Sequence, residues 1–159
     1  MLHACNEKES ALKLLVMPRP TSALIVDDEL HVHVYLKILL KQLGITTIWD
    51  AGEGHTALEL AAEHNPEVVL LDINLPQING LELLEKLKAA HPSMHVIVVS
   101  VESKPETLVR AHDLGADAYV LKHLPRAKIL QMLSETFDTI AQATGDASSG
   151  GGGKPATPA

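Results

Sequence analysis

The sequence predicts an α/β fold, a doubly wound five-stranded parallel sheet with helices on both faces. Two observations carry this. From Ala23 onward, short apolar runs alternate five times with stretches of helical periodicity. The runs, such as Val68-Val69-Leu70-Leu71, show no polar alternation, which marks strands buried on both sides. Right-handed crossovers between parallel strands then wrap helices over both faces.

The elements follow in order. Ala23-Leu24-Ile25-Val26 is a short strand ending in acids. Leu30 to Leu43 carries an apolar stripe at 32, 36, 39 and 43, closed by Gly44. Thr46 to Trp49 reads as the second strand, and Glu53 to His64 as a helix ended by Asn65-Pro66. Val68 to Leu71 is the third strand. Asn79 is the expected N-cap of a helix that opens at Gly80 and ends near His91-Pro92. His95 to Val99 is the fourth strand. Ser103-Lys104-Pro105-Glu106 has the pattern of a capping box opening a helix to about Asp113, with Gly115 beyond it. Ala118 to Leu121 is the fifth strand. Pro125 falls where a first helical residue belongs, and the last helix is expected to end near Ala141.

The chain has 159 residues, the size of a single domain. Three regions are expected: an extension at 1–20, a folded unit at 21–142 and a Gly/Ser/Pro-rich flexible tail at 143–159. Glu7 to Val16 reads as a short amphipathic helix stopped by Pro18 and Pro20, and Met17 is an alternative start. With 46% hydrophobic residues and only Tyr35, Trp49, Tyr119 and Phe137 as aromatics, the core must be aliphatic. The formal net charge of −7 argues against a general binder of nucleic acid or anionic membrane. Cys5 is the only cysteine, so an intrachain disulfide is excluded and a cytoplasmic setting fits. No apolar run reaches transmembrane length.

In an open parallel sheet, sites form at the carboxyl ends of the strands. Asp27, Asp28 and Glu29 follow the first strand, Asp72 the third, Ser100 the fourth and Lys122 the fifth. Clustered carboxylates repel unless a cation sits among them, and hard oxygen donors on short loops suit Mg²⁺ (Mn²⁺ is also admissible). An Asp carboxylate beside such a cation and an ammonium can accept a phosphoryl group. The cluster therefore reads as an acceptor for phosphoryl transfer.

Five stretches in order resemble the response-regulator receiver domain of the chemotaxis type. They are Leu24-Ile25-Val26-Asp27-Asp28-Glu29, Val68 through Pro76, Asn79-Gly80, Val96 through Ser100, and Gly115 through Lys122. The resemblance spans about residues 22–141 and implies the flavodoxin-like strand order 2-1-3-4-5. It implies that Asp72 takes a phosphoryl group from a histidine kinase or a histidine phosphotransfer protein. Asp28 would bind Mg²⁺ directly, Asp27 mostly through water, and the Asn74 carbonyl would be a further ligand. Lys122 would pair with phosphoryl oxygens, Ser100 would swing toward them, and Tyr119 would turn inward behind it. Such a protein is no conventional enzyme. It phosphorylates itself and loses the group again, signalling through a face within 103–141 to a downstream protein, without direct nucleic-acid or membrane contact.

Two positions depart from the family pattern. His123 stands where proline usually follows the lysine, and Val101 where a small residue usually follows Ser100. A β-branched Val101 is expected to narrow the path to Asp72 and slow transfer from small donors. His31 and His33 are two apart on a helix, so no shared metal site is expected. The competing classes are an unphosphorylated pseudo-receiver, a truncated receiver of a longer transcriptional regulator, an aspartyl hydrolase and a flavin carrier. Asn74 stands where an aspartyl hydrolase places its general acid, and Asp27-Asp28 would repel a flavin phosphate.

Overall fold

The computed structural model describes residues 19–149, and side chains as far as residue 143. Its elements are β1 (Ser22–Val26), α1 (Leu30–Gln42), β2 (Thr47–Ala51), α2 (Gly54–His64), β3 (Val68–Leu71), α3 (Gly80–Ala90), β4 (His95–Ser100), α4 (Pro105–Asp113), β5 (Ala118–Leu121) and α5 (Arg126–Ser149). All strand pairs are parallel, in the order β2-β1-β3-β4-β5.

Each central strand feeds two cores, because successive side chains point to opposite faces of the pleat. Ala23, Ile25, Val68, Leu70, Ile97 and Val99 face α1 and α5, meeting Leu36, Leu40, Ile129, Leu133 and Phe137. Leu24, Val26, Val69, Leu71, Val96 and Val98 face the other way, against Ala57, Leu83, Leu84, Leu87 and Ala111 from α2, α3 and α4. That double cover is why these strands read as unbroken apolar runs. The edges differ. Thr47 and Asp50 of β2 are exposed, and most of β5 is half-buried, since an edge strand has one neighbour only. On that β2 edge, Trp49 stacks on His64 with ring centroids 4.5 Å apart.

The helix ends follow local chemistry. Gly44 at φ 96° ends α1, and Asn65 at φ 47° ends α2. The Asn79 side chain caps α3 by accepting from the Leu81 N–H at 2.9 Å, as expected.

Three expectations require correction. The Ser103 capping box does not form: Lys104 is the N-cap of α4, without a side-chain bond, and Pro105 fills the first turn. Proline supplies the helical φ there and has no N–H to satisfy, so the cap is dispensable. Pro125 lies just outside α5, where its carbonyl accepts from Lys128 and Ile129 at 2.9 and 3.1 Å. And α5 continues past Ala141 to Ser149, through Gly145. A single glycine costs about 1 kcal/mol in a helix, which a helix already anchored by Phe137 and Ile140 accommodates. The expected helix at 7–16 lies outside the described residues, as does the tail beyond residue 149.

Candidate functional site

The parallel register brings Val26, Leu71 and Val98 side by side, so the residues following β1 and β3 emerge at one end of the sheet beside the end of β4. Asp27 is held between strands: its N–H donates to the Ala51 carbonyl at 3.0 Å, and the Asp72 N–H donates to the Val26 carbonyl at 2.9 Å. Each buried carboxylate then bonds its own loop. Asp27 Oδ1 accepts from the Glu29 N–H at 2.9 Å, and Asp72 Oδ1 from the Asn74 N–H at 3.0 Å. These two-residue turns leave the second oxygen of each carboxylate pointing into the site.

Lys122 sits between them. Its ammonium donates to Asp72 Oδ2 at 2.7 Å and lies 2.7 Å from Asp27 Oδ2. Asp27 Oδ2 is buried and, among the described residues, receives no well-directed hydrogen bond, so the ion pair is what compensates it. Asp28 is exposed, but its carboxylate completes a trio with Asp27 and Asp72 whose oxygens lie within 4.8 Å of one another. Such a donor set, three carboxylates sharing one ammonium, fits a hard divalent cation.

The electrostatics follow from burial. Burial pushes the Asp27 carboxyl above its ordinary range, against the pull of Lys122 and the Glu29 N–H. Burial alone would lower Lys122, but the two carboxylates outweigh it and hold the ammonium above its usual value. The site is therefore short of positive charge even with Lys122 in place.

The remaining site residues lie alongside. Asn74 donates its side-chain amide to Ser100 Oγ at 3.2 Å, and the same hydroxyl accepts from the Glu102 N–H at 3.2 Å. Tyr119 lies beside Ser100 and Glu102. Its hydroxyl donates to the Glu102 carbonyl at 2.7 Å, and burial raises its pKa while the Ser100 hydroxyl counteracts it. Val101 is 59% exposed and lines a groove of about 300 Å³ with Lys122, His123, His31 and Tyr35. Every described peptide bond is trans, Lys122–His123 included.

Two features are not foreseen from the sequence. Gly80 is needed where α3 starts under the acid loop: a Cβ there would lie 2.1 Å from Ile73 Cα and 2.8 Å from the Asp72 carbonyl oxygen. The second is His33, buried on α1 with its Nε2 against the Asp27 carbonyl. Its spacing from Leu36 and Leu40 puts it on the core-facing stripe, which is the signal the sequence offers. His31 is exposed and pairs with Glu29 at 2.9 Å, so the two histidines do part company as expected.

A five-stranded parallel sheet in this order, with three carboxylates, a lysine and a serine gathered at the carboxyl ends of its strands, defines a receiver-type α/β fold. Comparison with known proteins agrees: the family model described as the response regulator receiver domain matches residues 23–134. The chain belongs to the response-regulator receiver family. It is 36% identical over 121 residues to the nitrate/nitrite response regulator protein NarL of Escherichia coli, covering 73% of this chain and 54% of that protein. It thus spans about half the length of that relative. It is 28% identical over 127 residues to the chemotaxis protein CheY-3 of Vibrio cholerae, covering 79% of this chain and 98% of the relative. Among solved structures, a CheY-like receiver domain protein from Methanospirillum hungatei superposes with a TM-score of 0.69 at 30% identity, over 76% of this chain and 96% of that one. A chain of a CheX-CheY-BeF3-Mg²⁺ complex from Borrelia burgdorferi gives 0.70 at 29% identity, over 75% of this chain and 90% of that one. A similar structure from Staphylococcus aureus is described as a DNA-binding response regulator, so the expected absence of nucleic-acid contact is not carried forward. Among the described residues, no helix is long and apolar enough to cross a membrane.

Proposed function

We propose that this chain is a phosphorylation-dependent signalling switch in which Asp72 accepts a phosphoryl group from a phosphohistidine of a kinase or phosphotransfer protein. The observation that carries it is the Lys122 ammonium held at 2.7 Å from both Asp27 and Asp72, beside a third carboxylate. An Asp72 oxygen attacks phosphorus, and the new O–P bond forms as the P–N bond of the donor breaks. The bonding pair returns to the donor imidazole, which leaves neutral because its other nitrogen carries the proton. Lys122 turns from its carboxylate partner toward the incoming phosphoryl oxygens, where its charge offsets theirs. The Ser100 hydroxyl, which already accepts from Asn74 and Glu102, brings its proton to a phosphoryl oxygen. Asp27, Asp28, Asp72 and the Asn74 carbonyl would hold Mg²⁺, which when bound neutralises the carboxylate cluster and the phosphoryl group.

The signal leaves through Ser100. Its hydroxyl and the Tyr119 ring share the β4–α4 loop, tied together at Glu102. Moving Ser100 toward Asp72 breaks the bond to the Glu102 N–H and frees Tyr119 to turn inward, remodelling a face within 103–141 for a downstream protein. We assign this role to residues 21–142, acting in the cytoplasm. The match to part of NarL favours one further reading, in which the same switch controls a longer regulator.

Intact mass after incubation with Mg²⁺ and acetyl phosphate tests the acceptor. The wild type gains one phosphoryl group and Asp72→Asn gains none. An adduct on Asp72→Asn, or none on the wild type with a phosphohistidine donor, overturns the assignment.

A further inference from the structure

Among the described residues, His33 is the buried polar side chain that the phosphoryl-transfer chemistry leaves unused. It is 5% exposed and lies on the face of α1 that packs on the sheet. Leucine or isoleucine at such a position would add apolar burial, whereas an imidazole must be compensated by a hydrogen bond. Its Nε2 finds that bond at the Asp27 backbone carbonyl. Its Nδ1 faces the Asp50 carboxylate at 3.8 Å, and Asp50 is itself paired with Lys37.

The location of this bond gives it a consequence for the acidic cluster. The Asp27 carbonyl and the Asp28 N–H belong to one rigid peptide plane. The Asp27 N–H is already fixed on Ala51 of β2. Pinning the carbonyl as well removes rotation of the Asp27–Asp28 plane. Asp28 is exposed, so burial does little to aim it, yet its carboxylate reaches within 4.8 Å of those of Asp27 and Asp72. The imidazole thus acts on the peptide plane from which the exposed Asp28 departs.

We propose that His33 is a positioning residue for the cation site: by donating Nε2–H to the Asp27 carbonyl it fixes the peptide plane that aims Asp28 at the metal. This rests on the reading of Asp27, Asp28 and Asp72 as a Mg²⁺ site. It gives α1 a part in metal affinity that no carboxylate supplies.

The test is Mg²⁺ titration of the full chain by calorimetry, paired with urea unfolding in the absence of metal. Groups that orient metal ligands typically change affinity about 10- to 100-fold when removed. His33→Leu is expected to weaken Mg²⁺ binding about tenfold while unfolding at wild-type or higher urea concentration. His33→Gln places an amide N–H where Nε2 stood and is expected to stay within about threefold of wild type, whereas His33→Asn places it at Nδ1 and is expected to weaken binding as Leu does. The Asp28 amide resonance of the metal-free protein should move in Leu and Asn but not in Gln. Wild-type affinity in His33→Leu, or equal affinities in Gln and Asn, overturns the positioning role. A wild type that binds no Mg²⁺ overturns the metal reading instead, so the two failures are distinguishable. If His33→Leu does not fold, the Gln and Asn pair decides alone.

Discussion

The sheet carries an aspartate–lysine cluster at each end, and the two are built to opposite effect. At the amino ends of the strands, Asp117 accepts from the Val96 N–H at 2.9 Å, contacts His95 Nδ1 at 3.2 Å and lies 3.8 Å from the Lys88 ammonium. Lys88 also donates to the Met94 carbonyl at 2.8 Å. At the carboxyl ends, Asp27 and Asp72 share one lysine, and Asp27 Oδ2 has no well-directed donor among the described residues. Burial opposes ionisation of both aspartates. At Asp117 the donors win and the carboxyl is held below its usual range, while at Asp27 burial wins and the carboxyl is pushed above it. A carboxylate supplied with donors stabilises the fold. Two buried carboxylates that share one ammonium leave room for a second cation.

Breaking the shared lysine gives the largest effect. Lys122→Ala leaves two buried carboxylates facing each other, and removing one partner of a buried pair costs about 3 kcal/mol. Urea unfolding at pH 7 without metal should show that loss, and millimolar Mg²⁺ should restore much of it. The equivalent change at the other end, Lys88→Ala, should cost well under about 1 kcal/mol, because Asp117 keeps His95 and the Val96 N–H.

The two aspartates should respond to neutralisation with opposite signs. Asp117→Asn removes a charge held by good donors, a loss of about 1–2 kcal/mol at pH 7 for hydrogen bonds of this type. Because the Asp117 pKa is lowered on folding, its contribution is present above the ordinary carboxylate value of 3.8 and fades as pH falls through the folded value. The gap between wild type and Asp117→Asn should therefore close in acid. Asp27→Asn should instead raise metal-free stability at pH 7 by about 1 kcal/mol, since burial opposes the Asp27 charge more than Lys122 and the Glu29 N–H favour it. The Asp27 pKa is raised, so the wild type keeps full stability from this group below about 3.8 and loses it as pH rises through the folded value. The gain in Asp27→Asn should thus appear on going from acid to neutral pH. Urea midpoints at about pH 3.5 and pH 7 check both signs, and equal signs would collapse the contrast.

The smallest expected effect lies on the rim of the carboxyl-end site. Val101 is exposed, so Val101→Ala should change stability by less than about 0.5 kcal/mol. If its side chain restricts the approach to Asp72, phosphorylation by acetyl phosphate should accelerate about threefold, read by time-resolved intact mass. An unchanged rate would place the barrier in the chemistry of the donor and not in access.

Much of the molecule is legible in the order of its residues. Val68 to Leu71, once a strand, has to be covered on both faces, because four consecutive apolar side chains point both ways from one pleat. With strands and crossovers in place, Asp27, Asp28, Asp72, Ser100 and Lys122 have to meet, since parallel strands end together. Asn79 announces its cap by residue type, as Gly44 announces its stop. Where sequence and structure part, the cause is equally local. Ser103 has the side chain of a cap but is displaced by Pro105, which makes the neighbouring Lys104 the last residue outside the helix. The end of α5 lies beyond its expected place, at Ser149, although the composition there is small and glycine-containing.

The sequence by itself determined which residues are apolar, in what period, and which charges follow each strand. Hydrophobic burial and chain connectivity are enough to turn that into a sheet with an acidic end. Only the tertiary structure decided how each charge is compensated. That Lys122 serves two carboxylates, that Asp117 is satisfied and Asp27 is not, and that His33 reaches the Asp27 carbonyl all depend on distances of a few ångströms set by how the segments pack. Hydrogen bonds and ion pairs fall off over those distances, whereas the pattern of apolar residues does not depend on them at all.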